Sequence, residues 1–217
     1  MSPRVPVLRE EPVLQDFLVS SRIIDHYHPD VREKARELAA CQTDETVIAE
    51  RCFLFVRDEI RHSSDFRENP VTLCASGVLE HHTGFCYAKS HLLAALLRAN
   101  GIPAGLCYQR LSKRAAKESS RPFGLHGLNA VYRRKYGWYR IDPLGNKTGV
   151  DARFTPPVEH LAYVPRETGE TDLPGIYAEP FPEVVEVLTR CRDYEEVLRN
   201  LPDRESSSNH VLPDKSS

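Results

Sequence analysis

The stretch from Cys86 to Ala99 constrains this chain more than any other. Ala88, Leu92, Leu93, Leu96, Leu97 and Ala99 make it an apolar helix, and such a helix belongs inside a domain. Asn100-Gly101 stops it, and Pro103 reinforces the stop. The flanking sequence must supply its cover. Pro29 opens one helix, with Val31, Ala35, Leu38 and Ala39 on its apolar face. A second runs from about Asp44 to Ile60, striped by Ile48, Cys52, Phe55, Val56 and Ile60. Arg61 to Asn69 is polar and reads as a loop, and Ala75 to His82 as a short helix ended by Thr83-Gly84. Beyond Pro103 the period changes. Ala104–Leu111, Leu125–Tyr132 and Tyr136–Asp142 read as strands. Helices first and strands after predict an α+β fold, a helical layer packed on an antiparallel sheet.

At 217 residues the chain suits one domain with a small extension. The expected division is a catalytic domain with its N-terminal helices over 1–165, a C-terminal helical extension over 166–203, and a disordered Ser-rich tail over 204–217. The 29 basic and 31 acidic residues nearly cancel, so neither a nucleic acid nor a membrane surface is expected as partner. The N-terminus lacks a signal-peptide pattern, and no segment nears the roughly 18 apolar residues of a membrane span. Six cysteines, none in a C-x-x-C pair, fit a reduced, cytoplasmic protein.

Cys86 begins the apolar helix, where free N–H groups and the positive end of the dipole favour a thiolate. Gly84 before it would let the backbone approach a substrate. Taken alone, Cys86 reads first as an ordinary buried cysteine. His126 and Asp142 change that. They are equidistant from Arg134, so a hairpin centred there sets them opposite one another on neighbouring strands. A carboxylate in that place would fix the tautomer of the imidazole and stabilise its cation. A purely structural His–Asp bond, or an Asp142 that merely starts a turn, fits the same spacing. Cysteine, histidine and acid suffice for acyl chemistry through a thioester, and no cofactor or metal is needed.

Gly84-Phe85-Cys86-Tyr87-Ala88-Lys89-Ser90, with Ala94-Ala95-Leu96-Leu97-Arg98-Ala99-Asn100-Gly101-Ile102-Pro103-Ala104 behind it, resembles the core signature of the transglutaminase-like superfamily. His126 matches the family's strand-opening histidine, and Gly137-Trp138-Tyr139-Arg140-Ile141-Asp142-Pro143 its aspartate before proline. The resemblance spans roughly residues 45 to 150. It implies a papain-like α+β fold and a triad of Cys86, His126 and Asp142, in a small microbial-type member. The chain departs from the family in carrying Leu128 where an aromatic residue often stands. It also lacks the family's acidic calcium loops and the length for the β-domains of animal transglutaminases.

Other residues have weaker claims. His81-His82 with Cys86 would make a partial metal site short of a fourth ligand. Tyr108 and Gln109 read as sheet surface rather than cleft wall, Asn69-Pro70 as a turn, and Trp138 as packing. The 112–121 insert reads as a charged loop, with a flap beside the site as the bolder alternative. The leading expectation is a cysteine-peptidase-like hydrolase of a peptide or a small amide or acyl substrate. Its rivals are an amine-accepting acyltransferase and a non-catalytic binding module of the same fold.

Overall fold

In the computed structural model, residues 13–112 and 122–205 are described. The expectations of a disordered tail and of a flap over the insert fall almost entirely outside them. The central helix, α5 (Cys86–Ala99), is as buried as its composition requires: every residue from Cys86 to Arg98 is buried. It ends in a Schellman motif. Gly101 takes φ +74°, its N–H donates to Arg98 O at 2.9 Å, and Ile102 N–H donates to Leu97 O at 3.0 Å. Helices α1 (Pro29–Ala39), α2 (Glu45–Glu59) and α4 (Ala75–His81) pack on α5. Asp44 caps α2, accepting from Thr46 N–H at 2.7 Å.

The polar stretch after α2 is not a plain loop. Arg61–His62 forms strand β1 and Ser63–Phe66 a one-turn helix, α3. Strand β1 pairs in parallel with β2 (Thr83–Gly84), setting His62 beside Gly84. Two-residue strands carry too little pattern to be legible from sequence. Gly84 also serves a different purpose from the one expected. A Cβ there would press on Ala88 Cβ and Thr72 Oγ1, both at 3.1 Å, so the glycine admits core packing and not substrate.

The main sheet is antiparallel in the order β5-β4-β3-β6, built from β3 (Ala104–Ser112), β4 (Phe123–Arg133), β5 (Gly137–Ile141) and β6 (Thr171–Asp172). Helix α5 covers one face, over Leu106, Tyr108, Leu125 and Val131. On the other, Cys107, Leu128 and Ala130 pack with Trp138, Leu161 and Ile176. Leu128 is therefore a core residue. Tyr108 and Gln109 are buried instead of lying on an open sheet surface: Tyr108 stacks on Phe181 at 4.2 Å, and Gln109 Nε2 donates to Asp172 Oδ1 at 2.9 Å. The Pro-rich chain after β5 thus returns to roof the sheet. It continues into α6 (Pro182–Arg190) and α7 (Tyr194–Arg199).

Polar side chains on α5 do the joining. Buried Arg98 donates to three carbonyls, two of them remote in sequence: Val19 at 2.8 Å and Ala178 at 2.7 Å, with Ala104 at 3.0 Å. Buried Lys89 takes the last carbonyls of α2, at Ile60 and, at 3.4 Å, Arg57. Buried Asn129 of β4 donates back to Ser90 O at 2.9 Å. Among the described residues no helix is long and apolar enough to cross a membrane.

The tightest approach of helix to sheet is at Gly127. A Cβ there would lie 2.9 Å from Tyr87 Cδ1 and 3.1 Å from Tyr87 Cα, and a backbone atom cannot step aside. Gly127→Ala should therefore destabilise the fold by about 1–3 kcal/mol, the usual cost of overpacking. Urea unfolding should show a lower midpoint at unchanged slope.

Candidate active site

Cys86 is the first residue of α5, with Phe85 as N-cap. Its thiol lies against β4 because Gly127 has no side chain: Gly127 N–H points at Cys86 Sγ, 3.4 Å away. The imidazole of the neighbouring His126 faces the same sulfur and acts on its ionisation. His126 Nε2 is engaged by Asp142 Oδ2 at 2.8 Å, leaving Nδ1 for the thiol. Asp142, wholly buried, also accepts from Leu144 N–H at 3.1 Å on Oδ1 and from Ala162 N–H at 3.2 Å on Oδ2. Its carboxylate is thus held by three hydrogen bonds and cannot swing away from the imidazole. All three residues singled out in the sequence meet in one line.

The register differs from expectation. Tyr132 pairs with Trp138 and Asn129 with Ile141, so the hairpin is centred on Lys135 and not Arg134. The turn takes three residues, followed by Gly137 at φ +78°. A shift of two residues preserves the face, since side chains alternate with period two. His126 and Asp142 therefore meet diagonally, just past the end of β5. His126 is also 6% exposed and so buried. The ring of Tyr163 closes on its edge at 5.1 Å.

A second imidazole stands at the thiol, and the sequence reading passed it over as loop. His62, on β1, lines the same cleft and acts on the ionisation of Cys86. Its Nδ1 lies 3.0 Å from Ser64 Oγ and 3.5 Å from Asp65 Oδ2. Asp65 is gripped in turn by Lys147 Nζ at 2.7 and 2.6 Å. The available signal was the histidine and acid three residues apart in His62-Ser63-Ser64-Asp65, directly after a helix. Elsewhere, His81 and His82 line a separate depression with Glu59, Arg61, Glu68 and Asn69, away from Cys86. Asn69 Oδ1 accepts from Tyr194 N–H at 2.9 Å, in keeping with a turn, and Trp138 packs edge-on to Phe17 and Tyr132.

These neighbours set the charge of the sulfur. Burial alone would push the Cys86 thiol up; hydrogen bonds and charge from His126 and His62 outweigh it and bring it down to about 6. Burial likewise opposes the His126 cation, and Asp142 together with the sulfur outweighs that and raises its pKa well above the ordinary value. Near neutral pH the favoured form is a thiolate beside an imidazolium. Cys86 opens onto a cleft of about 860 Å³. Leu111, Leu125, Leu144 and Leu161 line it, and Asp151, Glu159 and Arg166 stand in its walls.

Residues 32–143 match the family model of the transglutaminase-like superfamily. The chain belongs to that superfamily. The stretch that matches contains Cys86, His126 and Asp142 and ends one residue after the last of them. Among solved structures, this superfamily member is similar to the "Putative Cysteine Protease" of Cytophaga hutchinsonii. The identity is 19% and the TM-score 0.48, over 64% of this chain and 45% of that one. It is also similar to the periplasmic domain of TgpA from Pseudomonas aeruginosa, at 20% identity and TM-score 0.43, over 59% and 45% of the two chains. The chain spans less than half the length of either. No curated protein matches it.

The lowered thiol predicts selective labelling. At about pH 6.5, iodoacetamide should modify Cys86 ahead of the other five cysteines, two of which, Cys52 and Cys107, burial pushes up to about 12. His126→Ala should slow that reaction by roughly tenfold or more, because the thiolate then forms only at higher pH. The gap should close as pH rises past the ordinary thiol range. Peptide mapping by mass spectrometry checks the site, and a pH series checks the shift.

Proposed function

We propose that this protein is a cysteine hydrolase that opens amide or ester bonds through a thioester on Cys86. The observation that supports this best is the alignment of buried Asp142, the His126 imidazole it hydrogen-bonds, and the Cys86 thiol beside that imidazole at a helix start. In this reading the Cys86 thiolate attacks the substrate carbonyl carbon. As the tetrahedral species collapses, the bond to the leaving nitrogen or oxygen breaks, and the leaving atom takes the proton from His126 Nδ1. The neutral imidazole then removes a proton from water as its oxygen adds to the thioester carbon. The carbon–sulfur bond breaks, and thiolate and imidazolium are restored. Asp142 stays ionised throughout and steadies the imidazolium.

The leucines beside the thiol suit an apolar acyl group, and the charged residues of the cleft suit polar atoms further along a peptide or an acyl amide. An amine bound in place of water would turn the same thioester into an amide, so an acyltransferase differs from a hydrolase only in its second substrate.

The test uses p-nitrophenyl acyl esters and peptide p-nitroanilides, with and without a panel of primary amines. Acyl adducts on Cys86 that resolve to free acid support the hydrolase. Capture of nearly all product by one amine at low concentration would replace hydrolase with acyltransferase. Failure of every substrate to form an adduct on an alkylatable Cys86 would favour a binding module. For whichever substrate turns over, Asp142→Asn should reduce the rate by about 10²–10⁴-fold while circular dichroism stays unchanged. Wild-type turnover in that variant would leave Asp142 with a purely structural part.

A further inference from the structure

His126 and Asp142 leave His62 without a task, yet His62 too is anchored at its far end. Its Nδ1 faces Ser64 Oγ and the Asp65 carboxylate, and Lys147 pins that carboxylate through both oxygens. Nε2 is then the ring nitrogen left for the cleft that His62 and Cys86 line together. The ring of Phe85 meets it edge-on at 5.6 Å. Histidine, carboxylate and ammonium thus form a second line ending at the sulfur, coming from β1 and α3 instead of β4.

Its place suggests what it does. His62 pairs in register with Gly84, two residues before Cys86, so it stands on the side toward which the unpaired N–H groups of α5 point. When sulfur bonds to a carbonyl carbon, it loses its charge and most of its power to accept hydrogen bonds. The charge passes to the carbonyl oxygen, about 3 Å from the sulfur, within reach of a donor already aimed there. His126 has a proton to deliver to the leaving group. His62 has no such duty.

We propose that His62, held by Asp65 and Lys147, is a catalytic residue that donates a hydrogen bond from Nε2 to the oxyanion, alongside the backbone N–H of Cys86. This rests on the thioester reading above. No proton is transferred in the step: the thiolate adds to the carbon, the π pair moves onto oxygen, and the Nε2–H bond remains intact. With Nδ1–H directed at Asp65, Nε2 carries a hydrogen only in the imidazolium, so the donor exists only while His62 is charged. The titratable groups facing His62 are Cys86 on α5 and Asp65 on α3, and His126 lies across the sulfur on β4. Arg61 beside it is turned away, onto Glu68 and the Phe66 ring. Burial works against the cation of His62, and Asp65 and Cys86 outweigh it, raising its pKa.

The experiment compares two reactions of Cys86 across about pH 5–10. Acetylation by p-nitrophenyl acetate passes through an oxyanion; alkylation by iodoacetamide does not. Nitrophenolate departs without a proton, so His126 is not needed there as an acid. His62→Ala should lower the peak acetylation rate by about 10²-fold. Its alkylation plateau at high pH should stay within about threefold of wild type, since that plateau reads the fully formed thiolate. His62→Gln should regain part of the acetylation and lose the descending limb at high pH, because an amide does not titrate. Asp65→Asn, on the partly exposed α3, should move that limb to lower pH. Equal losses in both reactions, no loss in either, or an unchanged descending limb in His62→Gln would each overturn the assignment. A wild type that alkylates at Cys86 but never acetylates overturns the thioester reading and this one with it. A wild type that acetylates no faster than His62→Ala overturns this one alone.

Discussion

Everything at this site depends on one close contact, that of the first turn of α5 against the backbone of β4 at Gly127. The helix is buried on all sides, so its start cannot be solvated and must meet protein. Because residue 127 has no side chain, the strand comes near enough for its own N–H to touch the Cys86 sulfur and for His126 to follow. A strand held further off would take His126 away from a buried thiol, and burial alone makes a thiol inert, as at Cys52 and Cys107. Packing therefore decides whether a cysteine in this core is held as a neutral thiol or drawn toward the thiolate.

The charges gathered there would be unstable singly. Desolvation works against the charged forms of Cys86, His126 and His62, and the groups around each of them outweigh it. Two carboxylates anchor the assembly from opposite sides, Asp142 beyond β5 and Asp65 on α3. They are fixed in different ways. Asp142 is sealed in and held by backbone N–H groups, whereas Asp65 is partly exposed and held by a lysine. The line through His126 is insulated from solvent. The line through His62 stays open to it.

The sequence made the central helix, its cysteine, and the histidine and aspartate on later strands legible. Long periodic elements and strongly typed residues announce themselves. The hairpin register was misjudged by two residues, since a three-residue turn closing on Gly137 looks much like other polar turns. The error did no harm to the His126–Asp142 pairing, because a shift of two leaves side chains on the same face. Strands of two residues, such as β1, have no periodicity to read, and His62 went unnoticed with them. Nor could sequence reveal that Gln109 would be covered by Asp172, 63 residues downstream, since only the returning chain makes that face an interior.

Arg98 carries a consequence for where the working unit ends. Its guanidinium is buried and takes carbonyls from Val19, Ala104 and Ala178. A chain trimmed to residues 32–143 would retain Cys86, His126 and Asp142, yet lose two of those three acceptors. It would also lose Ala162, whose N–H steadies Asp142, and the 161–176 chain that roofs Leu128 and Ala130. A cation would be stranded in the core behind Cys86, and the aspartate would be loosened in front of it. The span that defines kinship is thus smaller than the span that can stand alone, and the segments before and after it are structural parts of the enzyme we propose.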